Sequence, residues 1–165
     1  MTEQPPEVLI GELLRRRGWR LAVAESCTGG LVGHKLTNVA GSSTYFVGGI
    51  IAYSYNSKVR LLGVEWNTLE KFGAVSKDVV LQMARGARLA LAADVGLSVS
   101  GIAGPGGGTM EKPVGTTWVG LSTPYHEESQ KFVWDQDRIG NKMVSAEAAL
   151  QLLVDYLRRH QDGKD

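Results

Sequence analysis

The residues best suited to chemistry lie over positions 24–58, as AESCTGG at 24–30, GSSTYFVGG at 41–49 and YSYNSK at 53–58. Serines on tight Gly-flanked turns, a tyrosine and a lysine in one short stretch are the parts of a hydrolase that activates serine without histidine, which points to acyl transfer. Ser42 and Ser43 stand between Gly41 and Thr44. If a helix starts there, its first N–H groups are unpaired and suit a developing oxyanion. One serine can cap that start and leave the other to attack. Lys58 follows a strand-like run that can return it beside the serine turn. To act as a base it must be neutral, and burial or neighbouring positive charge lowers a lysine from about 10.4 toward neutrality. Tyr53 can then pass a proton between Ser43 and Lys58. The alternative for Lys58 is a solvated place on a short helix over 56–62.

Ser26, Cys27 and Thr28 fall where a strand ends and a helix opens, the usual crevice for ligands in an open α/β sheet. Ser26 and Thr28 are placed to hydrogen-bond a ligand. Cys27 with His34 as its base is a competing pairing, but two helical turns separate them by roughly 10 Å, too far for direct proton transfer. Cys27 fits better as a small buried filler. SGIAGPGGG at 100–108 leaves a strand at Ser100 through a loop whose glycines, Gly101 and Gly104 among them, let backbone N–H groups approach a ligand. The lysine and hydroxyl of a P-loop do not follow it, so a nucleoside-triphosphate reading is weak. Arg138, after Asp135 and Asp137, can grip a phosphate or carboxylate bidentately or pair with one of those aspartates.

Periodicity supplies the elements that must position these groups. Pro5-Pro6 begins a helix with the stripe Val8, Leu9, Ile10, Leu13 and Leu14, which Gly18 closes. Residues 19–24 read as a strand and 31–37 as a helix. Residues 50–53 read as a second strand after a bend at Gly48 and Gly49. Asn67 and Glu70 stand at capping-box spacing before a minor helix that ends at Gly73. Ser76 caps a longer helix, residues 95–100 form a buried strand, and 116–122 with 130–134 form a hairpin. A last helix spans 138–159, with Met143, Ala146, Leu150, Leu153 and Leu157 facing inward. This order predicts an α/β fold, a three-layer α/β/α sandwich on a mixed, mostly parallel five-stranded sheet.

The chain has 165 residues, expected to form one domain with 1–6 and 160–165 as loose ends. Its 18 Lys+Arg nearly balance 17 Asp+Glu, so no overall field recruits nucleic acid or an anionic membrane. The single cysteine fits a reducing cytoplasm, and no apolar run is long enough for a membrane span. His34, His126 and His160 are scattered, so no metal is expected, and His126 and His160 read as solvated.

AESCTGG, AGSSTYFVGGIIAYS, Lys58 before LLGV, GAVS, SGIAGPGGG with KPVGT, and the Asp137-Arg138 pair lie together in one order. In this the sequence closely resembles the CinA C-terminal domain family, whose stand-alone members are nicotinamide-nucleotide amidases, over roughly residues 7–158. The resemblance implies hydrolysis of nicotinamide mononucleotide to nicotinate mononucleotide and ammonia, without metal or cofactor, by a homo-oligomer that binds a small nucleotide. It implies Ser43, the second serine of GSS, as nucleophile with Tyr53 and Lys58. It places Ser26, Ser100 and Arg138 on ligand-contacting positions, to which Thr28, Ser42, Gly101 and Gly104 are added as substrate-binding candidates. Two positions depart from the family pattern: Tyr55 stands where asparagine is usual, and Lys142 where a second arginine often stands. The rival reading is a non-catalytic nucleotide-binding or competence-related regulatory module.

Overall fold

The computed structural model describes residues 4–160. Helix α1 (Pro6–Arg17) starts on the Pro5-Pro6 pair and stops at Gly18, whose left-handed φ of 67° few other residues adopt. Pro6 is buried, so it is a seated part of the helix rather than a loose end. The loose ends expected at 1–3 and 161–165 lie outside the described residues. Strand β1 (Leu21–Glu25) leads to α2 (Leu31–Thr37) and a 3-10 turn at Ser42–Thr44. Next come β2 (Phe46–Ile51), α3 (Tyr55–Leu62), α4 (Trp66–Phe72) and α5 (Lys77–Ala90). Strands β3 (Val95–Gly101), β4 (Thr116–Ser122) and β5 (Glu127–Val133) follow, and α6 (Arg138–Arg159) completes the described chain.

The five strands form one sheet in the order β2-β1-β3-β4-β5. β1 is parallel to both β2 and β3, and β4 alone runs against its neighbours, so the sheet is mixed and mostly parallel. Alternation along the strands builds the two faces. Leu21 and Val23 of β1 with Val95, Leu97 and Val99 of β3 pack under α1, α2 and α6. Ala22 and Ala24 turn the other way, toward α3, α4 and α5. Small residues on that second face let α5 sit close. A Cβ on Gly96 would lie 2.0 Å from the Ala84 carbonyl, and Ser98 donates to the Val80 carbonyl at 2.6 Å.

Several local expectations change. β2 begins at Phe46, because Gly48 and Gly49 belong to the strand instead of bending before it. At Gly49 a Cβ would stand 2.7 Å from Val23 Cγ2, so the missing side chain permits the pairing with β1. α4 has Glu65 at its N-cap with no side-chain cap, and Glu70 accepts from the Trp66 indole in place of closing a box on Asn67. Strand β5 starts three residues earlier than the hairpin reading. Met143 is 59% exposed, while Ala146, Leu150, Leu153 and Leu157 are buried as expected. His126 and His160 are not free in solvent. Both rings pack on Tyr156, with centroids at 5.5 and 4.5 Å, and His126 contacts Glu128 at 2.8 Å. Among the described residues no helix is long and apolar enough to cross a membrane.

Candidate active site

Chain direction decides where the site lies. From β1 the chain passes through α2 to β2 on one side, while β3 lies on β1's other side, so a crevice opens at the carboxyl ends of β1 and β3. Ser26 follows β1 there and donates its N–H to the Val99 carbonyl at 3.0 Å, closing the end of the strand pair. Ser26, Cys27, Tyr53, Lys58, Ser100, Gly101 and Arg138 line a pocket of about 190 Å³ at this crevice.

Lys58 is delivered from the neighbouring βα junction. Ala52 N–H donates to the Glu25 carbonyl at 2.8 Å, which ties the segment after β2 to the end of β1. Ser54 and Ser57 then close a reciprocal capping box that starts α3, with both backbone-to-hydroxyl bonds at 3.1 Å. Lys58 follows directly and is turned inward, 1% exposed, so it is not the solvated lysine of the alternative reading. Its Nζ lies 3.0 Å from Ser26 Oγ, 2.8 Å from the Ala52 carbonyl and 3.2 Å from the Tyr53 carbonyl. Burial pulls the ammonium down to about 8, with the nearby Cys27 opposing. A neutral amine here keeps two N–H groups for the two carbonyls and turns its lone pair toward the Ser26 hydroxyl. A lysine and a serine in this arrangement can act as base and nucleophile.

Burial pushes the Cys27 thiol up to about 11, so it stays protonated near neutral pH and is a poor nucleophile. The backbone N–H of Cys27, which lines the pocket, donates to no other residue among those described, so a donor stands beside Ser26 that a developing negative charge could use.

The structure does not bring Ser43 to Lys58. Ser43 is exposed on the 3-10 turn that enters β2, and the six residues of that strand put it about 20 Å from the carboxyl edge where Lys58 sits. Ser42, buried on the same turn, is equally remote, and neither serine caps the turn. Here the turn serves geometry: Gly41 takes a φ of 81° and its carbonyl accepts the Thr44 hydroxyl at 2.9 Å. Tyr53 lines the pocket at 65% exposure, but its carbonyl and not its hydroxyl reaches Lys58, so the expected phenol relay is absent.

The other expected contacts divide. The Ser100 hydroxyl is buried and donates to the Ala74 carbonyl at 2.9 Å, joining β3 to the loop before α5. Gly101 has no room for a side chain, since a Cβ would lie 2.5 Å from Thr117 Oγ1 and 3.2 Å from Cys27 Sγ. Gly104 has a φ of 84°, and its carbonyl accepts from Arg138 Nη1 at 2.7 Å. Arg138 thus faces the pocket while holding the glycine loop, and Asp137 caps α6 through Gly140 N–H at 2.7 Å without pairing with the arginine. Thr28 does not face the pocket; its hydroxyl donates to Glu25 Oε1 at 2.5 Å.

Two residues escaped the sequence reading. Asn141 is buried one turn into α6, where Nδ2 donates to the Ala103 carbonyl and Oδ1 accepts from Gln136 N–H, both at 3.0 Å. Glu25 is buried beneath the 26–30 turn. The second had a signal, an acidic residue inside AESCTGG ahead of a helix whose N-cap is a glycine.

The sequence model of the CinA C-terminal domain matches residues 3–157. A putative competence-damage inducible protein of Halothermothrix orenii is 49% identical over 158 residues, covering 95% of this chain. A CinA-like protein of Salinibacter ruber is 47% identical over 145 residues, covering 88% of this chain. The chain spans only 38% and 35% of the length of these two relatives. Among solved structures, competence/damage inducible protein CihA from Agrobacterium tumefaciens superposes with a TM-score of 0.87 at 35% identity, covering 96% of this chain and 98% of that one. A CinA superfamily protein from Klebsiella pneumoniae gives 0.89 at 31% identity, covering 94% and 99%.

Proposed function

The chain belongs to the CinA C-terminal domain family, and from that membership and the buried Ser26/Lys58 pair we propose that it is a serine–lysine amidohydrolase acting on nicotinamide mononucleotide. The single observation that carries the chemistry is Lys58 Nζ, 3.0 Å from Ser26 Oγ. The substrate comes from the family resemblance, supported by an arginine at the mouth of the pocket for an anionic group.

In this reading neutral Lys58 takes the proton of Ser26 as Oγ attacks the carboxamide carbon. The carbonyl oxygen becomes an oxyanion, for which the N–H of Cys27, on the pocket wall beside Ser26, is the donor at hand. Lysine then protonates the departing nitrogen, ammonia leaves, and an ester to Ser26 remains. A water that gives its proton to Lys58 attacks that ester and releases nicotinate mononucleotide, restoring the serine. Arg138 keeps the glycine loop over the pocket and offers its remaining donors to the ligand's phosphate.

The test is ammonia release from nicotinamide mononucleotide by the purified chain. Turnover that Ser26→Ala removes and Ser43→Ala retains supports the proposal. Binding of the mononucleotide without turnover would favour the regulatory-module reading.

A further inference from the structure

We propose that Glu25 is a positioning residue, whose carboxylate gathers the start of α2 and thereby holds the 26–30 turn in the conformation that keeps Ser26 Oγ against Lys58 Nζ. The inference rests on the serine–lysine reading and adds the group that keeps the pair in register.

Glu25 is 2% exposed and has no ion-pair partner among the described residues. A carboxylate buried without a cation must have its lone pairs taken by donors. Four donors do so. Oε1 accepts the Thr28 hydroxyl at 2.5 Å, Gly30 N–H at 3.2 Å and Val32 N–H at 2.9 Å, and Oε2 accepts Gly33 N–H at 3.1 Å. Three of these are the otherwise orphaned amides at the start of α2, whose own N-cap, Gly30, provides no side chain. The cap is supplied instead by the last residue of the preceding strand.

Ser26 is thereby enclosed in a ring. At one end Glu25 and Ser26 are fixed to the sheet, Glu25 by pairing with Val99 and Ile51, Ser26 by its bond to the Val99 carbonyl. At the other end the Glu25 side chain pins residues 28–33, and the chain turns between them through Gly29 and Gly30, with φ of 60° and 108°. Glu25 also touches the lysine arm. Its carbonyl accepts Ala52 N–H, and the Ala52 carbonyl accepts Lys58 Nζ at 2.8 Å. One residue therefore sets the serine turn with its side chain and the lysine's acceptor with its main chain. The position at a helix start where α/β proteins hold a ligand's phosphate is meanwhile filled by the protein's own carboxylate, so a phosphate must be met elsewhere on the rim.

The test measures how fast a fluorophosphonate labels Ser26 in the full chain, with mass spectrometry identifying the site and a thermal melt run on each variant. Glu25→Gln sets an amide donor against the α2 N–H groups, while Glu25→Asp keeps the charge but withdraws it by one methylene. Both variants should melt cooperatively and label at least about tenfold more slowly than wild type, with the pH midpoint of labelling unchanged. Should Glu25→Gln fail to fold, Glu25→Asp carries the test. Labelling of either variant within twofold of wild type overturns the inference. So does a slow Glu25→Gln beside a normal Glu25→Asp, or a displaced pH midpoint, since either makes charge and not position the cause. Absence of Ser26 labelling in wild type strikes the serine–lysine reading itself and takes this inference with it, an outcome distinct from equal labelling of all three proteins.

Discussion

Lys58 Nζ meets Ser26 Oγ at 3.0 Å across 32 residues of sequence, and the Tyr53 backbone carbonyl completes the lysine's shell. That contact separates the two serines the sequence offers. Ser26→Ala should lower ammonia release by at least about a thousandfold while the fold persists, because a nucleophile is lost and little packing with it. Ser43→Ala, on the exposed turn at the far end of β2, should retain most turnover. Steady-state rates with matched circular dichroism spectra check both, and the reverse pattern would return the nucleophile to the GSS turn.

Burial holds Lys58 down at about 8, and in the proposed mechanism its neutral form is the base, so turnover should rise with pH through that value. Lys58→Arg should be nearly as inactive as Lys58→Ala, because arginine holds its proton throughout the accessible range. The same shift has a stability sign. Below about 8 both folded and unfolded chains carry the proton; between about 8 and the ordinary lysine value the unfolded chain binds more, so Lys58 makes stability rise with pH across that window. Denaturant midpoints at pH 7.5 and 9.5, compared between wild type and Lys58→Met, would show the increment only in the former.

Cys27 stands beside Ser26, the proposed nucleophile, but is protonated and buried. Cys27→Ala should keep turnover within about threefold of wild type, and an alkylating reagent should abolish ammonia release only slowly. Loss of activity at the rate of thiol modification would make the cysteine a participant.

The layers of the fold were legible because they rest on periodicity. The stripe of α1, the buried run of β3 and the inward leucines of α6 are patterns that neighbouring residues carry on their own. The site was legible in its residue types and less so in its pairing. Ser43 and Lys58 look like partners when distance is counted along the chain, yet a parallel β2 carries them to opposite ends of the sheet. Ser26 and Lys58 converge only because two adjacent parallel strands end at the same edge, and β2 was itself obscured by Gly48 and Gly49. Glu25 stood inside AESCTGG but is neither a hydroxyl nor an amine, and the role proposed for it depends on a helix start that its own side chain completes.

The close seating of α5 gives a stability test independent of chemistry. Gly96→Ala would drive a Cβ to within 2.0 Å of the Ala84 carbonyl, a backbone atom that cannot swing aside. The strain should cost about 3 kcal/mol or more and appear as a lower denaturant midpoint. Gly106→Ala, with open space around its Cβ, is the matched control and should be close to neutral.

Arg138 joins two tasks that one comparison of ligands can separate. Nη1 holds the Gly104 carbonyl at 2.7 Å, and the guanidinium faces the pocket, so Arg138→Ala both loosens the glycine loop and removes an anion partner. Loosening alone weakens nicotinamide mononucleotide and its dephosphorylated riboside alike. Loss of a charged contact weakens only the first, by on the order of 2 kcal/mol, or tens of fold in affinity. Binding of both ligands to a Ser26→Ala background, measured by calorimetry, should show the larger loss for the mononucleotide, and equal losses would leave Arg138 as a loop anchor. Lys142, one turn further along α6, has its Nζ 3.9 Å from where a Gly29 Cβ would stand and lines the neighbouring cavity with Thr28 and Gly29. If it shares the phosphate, Lys142→Arg should preserve or tighten mononucleotide binding by restoring the planar fork, and an affinity unchanged by Lys142→Ala would place it outside the site.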